Sequence, residues 1–420
     1  MHDHSIARVN RRSFLEGLAG TGLGMLGFNG MVQAEATKQL VRQQKHVVVF
    51  WLAGGVSQLE TWDPKPGTET GGPFRSIATS VPGVEISELL PHTAQQMHHL
   101  AVVRSLNTNE NAHDRGSILM QTGQPKDPGF VYPHMGAAFS SLLRSEENKL
   151  PGYITMNGGG QASEAAFLGS LHAPVQIDGD RGPSNLQPPE GMTAAKDLRR
   201  RQLRDRVSHR FAAARRQTDT EIYDASYEKA AALVDRRDIF DLDQVPGSER
   251  ERYGDSQFGK HCLMVRRLLE HGVPFARIRH KHYDSHSENF NFHIEQLGEF
   301  DRPFATFISD LDERGLLDHT LIVCMAEFGR TPKINPRCGR DHWGTAWSVA
   351  LGGCGIQRGA VVGSTIANGT EVKDREISSG HLFHTYYRAV GLDPSEEFYH
   401  NGRPFHRTDP KAAPIEELLV

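Results

Sequence analysis

Residues 46–55 read HVVVFWLAGG, and this run decides the fold class. From His46 to Leu52 the chain is almost continuously apolar and rich in β-branched side chains, and it stops at Ala53-Gly54-Gly55. An apolar run without alternation predicts a central strand buried on both faces, the pattern of parallel sheets. Working outward, Ser57 to Pro66 is a loop closed by two prolines, and Ile86 to Leu100 suggests a helix leading into a short strand at Ala101-Val102-Val103. A polar loop, Asn107 to Asn111, precedes a helix from His113 to Thr122. Residues 150–190 are rich in glycine and proline without a sustained period, which suggests loops and short strands lying over the sheet.

Beyond residue 240 the alternation resumes. Helices are expected at Lys260–His271, Phe292–Arg314 and His381–Val390, and strands at Pro274–Arg279, Thr320–Met325 (TLIVCM) and Trp347–Leu351. Strands alternating with helices indicate a three-layer α/β/α fold with a mostly parallel central sheet covered on both faces. There is no internal repeat and no low-complexity linker. The simplest organisation is one domain from about residue 40 to 420, carrying a helical, arginine-rich insertion at about 194–238. That insertion contains LRRRQLRDRVSHR, Leu198 to Arg210. It reads as a solvated helical face, with contact to a polyanion as the alternative.

The 47 basic and 51 acidic residues leave a net charge of −4, so no general affinity for nucleic acid is implied. At the N-terminus, Asn10-Arg11-Arg12-Ser13-Phe14-Leu15 precedes a glycine-rich, weakly hydrophobic stretch from Gly17 to Val32, and Val32-Gln33-Ala34 has the small-residue pattern of a cleavage site. Residues 1–34 are therefore expected to be a twin-arginine signal peptide that delivers the protein to the periplasm or the exterior. No other stretch is apolar enough for a membrane span, so no stable membrane insertion is expected after signal cleavage. The four cysteines, Cys262, Cys324, Cys338 and Cys354, lack the close pairs of a zinc ribbon or redox motif. An oxidising compartment would permit a Cys338–Cys354 disulfide, and buried free thiols are the alternative.

Candidate chemistry concentrates between Tyr283 and Trp343. Asp284 and His286 in YDSH are two residues apart and share one side of an extended segment. Glu327 follows the TLIVCM strand in AEFGRTP, and Asp341 and His342 stand side by side in GRDHW. Each alone is ordinary surface polarity. Together they place oxygen and nitrogen ligands at the ends of predicted strands, where open α/β sheets build their sites. Carboxylates with imidazoles suit a divalent metal, zinc first, with manganese, calcium or magnesium as alternatives. The candidate metal ligands are thus Asp284, His286, Glu327, Asp341 and His342. A resemblance to a known family, carried by AEFGRTP and GRDHW among other segments, implies His113, Glu327 and Arg330 as the candidate catalytic groups. His113 or Glu327 would serve as general base, with His113 alternatively a phosphoryl acceptor or a further ligand. Arg330, or Arg115, would hold an anionic ester through its planar fork of donors.

The segments GGVSQLETWDPKP (Gly54 to Pro66), YDSHSENF (Tyr283 to Phe290), RGLLDHTLIV (Arg314 to Val323), AEFGRTPKIN (Ala326 to Asn335) and GRDHW resemble those of the DUF1501 family of exported proteins. The resemblance runs from about residue 46 to 395 and implies an alkaline phosphatase-like fold, because the family is grouped with the alkaline phosphatase and sulfatase superfamily. Where that superfamily has an aspartate after the first strand, this chain has Gly54. Its nucleophile position corresponds to His113, ahead of Thr122-Gly123, and its later Asp-His pair corresponds to Glu327-Phe328. Its remaining ligands resemble Asp284, His286 and His342. One metal's ligands look kept, while the partner site and hydroxyl nucleophile are altered. No Cys-x-Pro-x-Arg segment exists, so formylglycine chemistry is not implied. Within its own family the chain has Glu60 where Asp is usual, Tyr283 for Trp and His381 for an acidic residue. The resemblance implies an exported metal-dependent hydrolase of phosphate or sulfate esters, with polysaccharide-derived substrates among the candidates. The competing expectation is a catalytically degenerate protein that binds a sulfated glycan or a cell-envelope partner.

Overall fold

In the computed structural model, residues 44–145, 147–158, 160–183, 186, 190–214 and 218–420 are described. The expected signal peptide lies outside them. The main sheet has eight strands: β1 (His46–Leu52), β2 (Leu100–Leu106), β3 (Tyr153–Met156), β4 (Val175–Ile177), β5 (Phe275–His280), β6 (Thr320–Met325), β7 (Trp347–Gly353) and β8 (Val361–Val362). Their spatial order is β8-β2-β7-β6-β1-β5-β3-β4. β1 is central and wholly buried, and it pairs in parallel with β5 (Phe50 beside Ile278) and with β6 (Phe50 beside Cys324). Only β7 runs against its neighbours β2 and β6. The sheet is therefore mostly parallel, as the apolar run at His46 predicts.

The principal helices are α1 (His113–Thr122), α2 (Met135–Leu143), α3 (Ala194–Ala214), α4 (Thr218–Asp235), α5 (Gln257–Glu270), α6 (Asn289–Glu313) and α7 (Ser379–Ala389). They cover both faces. On one face Phe50 meets Phe258 of α5 and Phe304 and Phe307 of α6 edge-on, at ring-centroid distances of 6.2, 4.8 and 5.3 Å. Phe275 lies in register with Val47, three residues from Phe50 along β1, and so points to the opposite face. There it packs near Phe139 of α2, which in turn meets Tyr387 of α7 at 4.9 Å. The fold is a three-layer α/β/α sandwich built on one continuous core.

Two expectations are corrected, and of the two alternatives for the cysteines the free thiols hold. Ile86–Leu100 is not one helix. Pro91 starts a short helix, Pro91–Gln96, after a strand at Glu85–Ser87, and Leu100 already opens β2. Proline is favoured in the first helical turn, where its missing N–H needs no partner, and this suits a helix start at Pro91. Residues 150–190 do not merely lie over the sheet, since β3 and β4 extend it at one edge. All four cysteines are free, with Cys354 buried and Cys338 exposed. The arginine-rich segment does form helices: α3 leans on α4 through Arg201 and Asp235, 2.8 Å apart. Lys229 of α4 donates to the carbonyls of Ser170 and Ala173, anchoring the pair beside β4. Among the described residues no helix is long and apolar enough to cross a membrane.

Candidate metal centre

Four strands deliver side chains to one end of the sheet. The chain leaves β5 at His280 and reaches Asp284 and His286 within six residues, while Glu327 and Arg330 follow β6. β2 ends at Leu106, and the loop beyond it leads to His113 at the first position of α1. Because β7 is antiparallel, its starting end lies at this same edge, so Asp341 and His342 arrive there just before it. A ladder of two residues, His342–Trp343 against Gly329–Arg330, ties the last two loops together.

Asp284 is the hub. Its Oδ1 lies 3.1 Å from His342 Nε2 and 3.1 Å from His286 Nε2, and those two nitrogens are 3.0 Å apart. His113 Nε2 is 3.3 Å from Asp284 Oδ2. The far nitrogens of all three rings are already committed. His342 Nδ1 is 2.7 Å from the Asn111 carbonyl, which can only accept, so Nδ1 carries the proton. His286 Nδ1 is 2.6 Å from Asp341 Oδ1, and His113 Nδ1 is 2.8 Å from Glu327 Oε1. With Nδ1 protonated, a neutral ring presents a bare lone pair at Nε2. Lone pairs of His286 and His342 then face each other and a carboxylate oxygen at about hydrogen-bond distance. Either a proton on His286 Nε2, shared with His342 Nε2 and Asp284 Oδ1, or a cation among the three atoms relieves that arrangement.

The donor set fits such a cation. Ligands held at zinc's usual nitrogen and oxygen distances in a tetrahedron lie about 3.3 Å apart. Ligand atoms of His113, Asp284 and His342 all lie within 4.8 Å of one another. Carboxylate or carbonyl partners on the outer ring nitrogens are the usual support of metal-binding histidines, fixing tautomer and ring orientation.

Charge is tuned to match. Burial alone would push the Asp284 carboxyl up, but the hydrogen bond and charge of Arg330 outweigh it and hold it well below the usual range. Burial lowers His342. The hydrogen bond to Glu327, with its charge and that of Asp284, raises His113. The hydrogen bond from His286 holds Asp341 below the usual carboxylate value.

The sequence-derived residues thus take distinct places. Asp284, His286 and His342 meet directly, and His113 joins them. Asp341 stands behind His286 rather than beside it. Glu327 is buried, its Oε1 accepting from His113 and from the Gly54 amide at 2.9 Å, while its Oε2 has no hydrogen-bond partner. Arg330 does not offer a fork to an ester. It is fully buried, donating through Nε to the Gly55 carbonyl (2.8 Å), through Nη1 to the Arg340 carbonyl (3.0 Å), and through Nη2 to the Gly54 carbonyl and Asp284 Oδ1 (2.6 Å). Arg115 is engaged with Glu110 at 2.8 Å, and Asp114 with Lys126 at 3.0 Å.

Gly54 is held tightly. Its φ is +111°, and a Cβ there would lie 2.5 Å from the Asp284 amide nitrogen, so no carboxylate side chain fits where the superfamily resemblance expects one. Two contributors carry no readable signal in the sequence. The Asn111 carbonyl acts through its backbone, and Asn335 donates from Nδ2 to the His286 carbonyl at 2.9 Å. Beneath the site, Arg340 and Glu60 form a fully buried pair at 2.8 Å. Arg340 also donates to the carbonyls of Thr331, Pro332 and Thr70, pinning the loop that carries Asp341 and His342.

The chain belongs to the DUF1501 family, described as a protein of unknown function, whose model matches residues 44–419. No curated protein matches it. Among solved structures it is similar to a protein in the alkaline phosphatase superfamily from Vibrio parahaemolyticus, with 12% identity, a TM-score of 0.36, and coverage of 86% of this chain and 76% of that one. It is likewise similar to the PsFucS1 sulfatase from Pseudoalteromonas sp., with 12% identity, a TM-score of 0.39, and coverage of 86% and 71%. A third is the C-terminal periplasmic domain of EptC from Escherichia coli in complex with zinc, with 12% identity, a TM-score of 0.35, and coverage of 86% and 92%.

Proposed function

We propose that this DUF1501 chain is an exported, divalent-metal-dependent hydrolase of phosphate or sulfate esters, acting on extracellular polymers or their fragments. Three potential ligand atoms, Asp284 Oδ1, His286 Nε2 and His342 Nε2, converge at 3.0–3.1 Å with both rings held from their outer nitrogens, and this carries the reading. These residues would hold the cation, with His113 as the fourth side chain at the site. When bound, such a cation supplies Lewis-acid polarisation of an ester oxygen.

The remaining chemistry belongs to the chain itself. Glu327 fixes the His113 ring through Nδ1 and leaves Nε2 facing the centre. His113, its Nε2 kept off the cation, takes the proton from an attacking water, and Glu327 accepts from the Nδ1–H of the imidazolium that forms. Arg330 keeps Asp284 ionised and oriented from below. Phe328, stacked on His342 at 4.3 Å and 4.9 Å from His113, provides an apolar wall.

The test begins with metal analysis of the purified protein beside His286→Ala and His342→Ala. A wild-type protein that is metal-free and resists reloading ends this reading. Aryl phosphates, phosphodiesters and aryl sulfates are then screened with zinc, manganese, calcium and magnesium, and again on Glu327→Gln, which is expected to abolish turnover. The second reading is a catalytically degenerate binding protein for a sulfated glycan or a cell-envelope partner. It is favoured by the full commitment of Arg330 to internal acceptors and by the closed space at Gly54. Metal binding and glycan binding without turnover of any ester would support it.

A further inference from the structure

Helix α3 has two unlike faces. Asp197, Arg201, Arg204 and Ser208 are half-buried and turn inward. Arg201 pairs with Asp235 of α4, Arg204 lies over the Tyr227 ring at 3.8 Å, and Ser208 donates to Asp224 at 2.9 Å. The outward positions Lys196, Arg199, Leu203, Arg206 and Arg210 recur at spacings of three and four, and all are exposed. They form one straight stripe about 21 Å long at 1.5 Å per residue. Arg200 and Val207 lie beside it, and no acidic residue occupies these outward positions. Arg199 and Arg210 make no ion pair with any described residue, although the chain as a whole carries a net charge of −4.

A row of cations concentrated on one rod, in a protein of opposite overall sign, matches a partner whose negative charges are also arranged in a line. Arginine dominates the row, and its planar fork of donors suits sulfate and carboxylate groups. Leu198, Leu203 and Val207, 58%, 56% and 59% exposed, do not make the single apolar face that an interfacial helix needs, since Leu198 and Val207 are nine residues apart and stand on opposite sides. None of the outward positions Lys196, Arg199, Leu203, Arg206 and Arg210 is aromatic, so the strip lacks the usual platform for stacking the bases of a single nucleic-acid strand.

We propose that the outer face of α3 is a docking strip for a linear anionic polysaccharide, bound through its sulfate or carboxylate groups. The strip is independent of the metal centre and keeps its role whether or not the protein is an enzyme.

Fluorescently labelled dextran sulfate, with neutral dextran as control, is titrated against the full chain by anisotropy at several salt concentrations. Combining Arg199→Gln, Arg206→Gln and Arg210→Gln keeps good helix formers and is expected to weaken binding at least about tenfold and to flatten the salt dependence. Combining Arg75→Glu with Arg403→Glu removes two exposed cations elsewhere and is expected to leave binding within about twofold of wild type. Hydrogen exchange on the unmodified protein gives a second readout, with added dextran sulfate expected to protect residues 194–210. Equal losses in the two variant sets, or protection confined to other segments, overturns the proposal. Tighter arginine-dependent binding to duplex DNA or to phosphatidylglycerol vesicles than to dextran sulfate overturns the choice of polysaccharide.

Discussion

Asp341 Oδ1 sits 2.6 Å from His286 Nδ1, on the side of the ring away from Asp284. The carboxylate therefore orients an imidazole at the candidate metal centre and makes its outer nitrogen a proton-bearing one. Losing such a supporting partner typically costs about 10–100-fold in metal affinity. Asp341→Asn is expected to weaken zinc binding by that margin in a chelator competition, while His286→Ala weakens it further. Asp341→Asn indistinguishable from wild type would show that the contact does not support the ring.

The Glu60–Arg340 pair is fully buried, with the arginine's other donors on backbone carbonyls. Burial would push the Glu60 carboxyl up, but the Arg340 charge and hydrogen bond hold it below its ordinary value. Removing one member of such a pair strands the other charge and costs about 3–5 kcal/mol. Glu60→Ala is expected to lower stability by that amount in urea unfolding and to weaken metal binding, because the Asp341–His342 loop loses its anchor. A change under about 1 kcal/mol would mean that water reaches Arg340.

Gly54→Ala places a methyl group against the Asp284 backbone at a φ that L residues avoid. Strain and overpacking together predict a loss of about 3 kcal/mol or more. Thermal unfolding followed by circular dichroism reads it directly. An unchanged midpoint would contradict the close approach of the two loops.

Glu164 gives a pH dependence remote from the metal centre. Burial would push its carboxyl up, but His134 and the charge of Arg277 together with the Tyr153 hydroxyl (2.6 Å) bring it down to about 2. A folded value below the unfolded one stabilises the protein above about pH 4.5, and the benefit disappears as pH falls through about 2. The margin at neutral pH is about 3 kcal/mol. The stability gap between wild type and Glu164→Gln should therefore narrow steadily between about pH 5 and pH 2. A gap independent of pH would rule out this linkage.

Much of the fold is legible in the chain because long apolar runs admit few readings. Thr320–Met325 and His113–Thr122 fall where periodicity and composition place them. The reversed direction of β7 is not legible, since an apolar strand carries no mark of its orientation. β3 and β4 fall in a stretch expected to hold short strands, but their place in the main sheet is not legible because they are short and lie among glycines and prolines. At the site, Asp284, His286 and His342 are readable as ligand chemistry next to strand ends. The positions of Asp341 and Arg330 relative to the cluster are not, because a loop's backbone decides which of two adjacent side chains faces inward. A supporting backbone carbonyl such as that of Asn111 has no sequence signature at all.

The crowding around Gly54 also bears on how this lineage can change. A single codon change to aspartate would put a side chain where the Tyr283–Asp284 backbone already lies. A carboxylate at this position would require both loops to be remodelled together. The close approach of the two backbones thus bars position 54 from adding a further ligand by a single substitution, and any such addition has to come from elsewhere around the cluster.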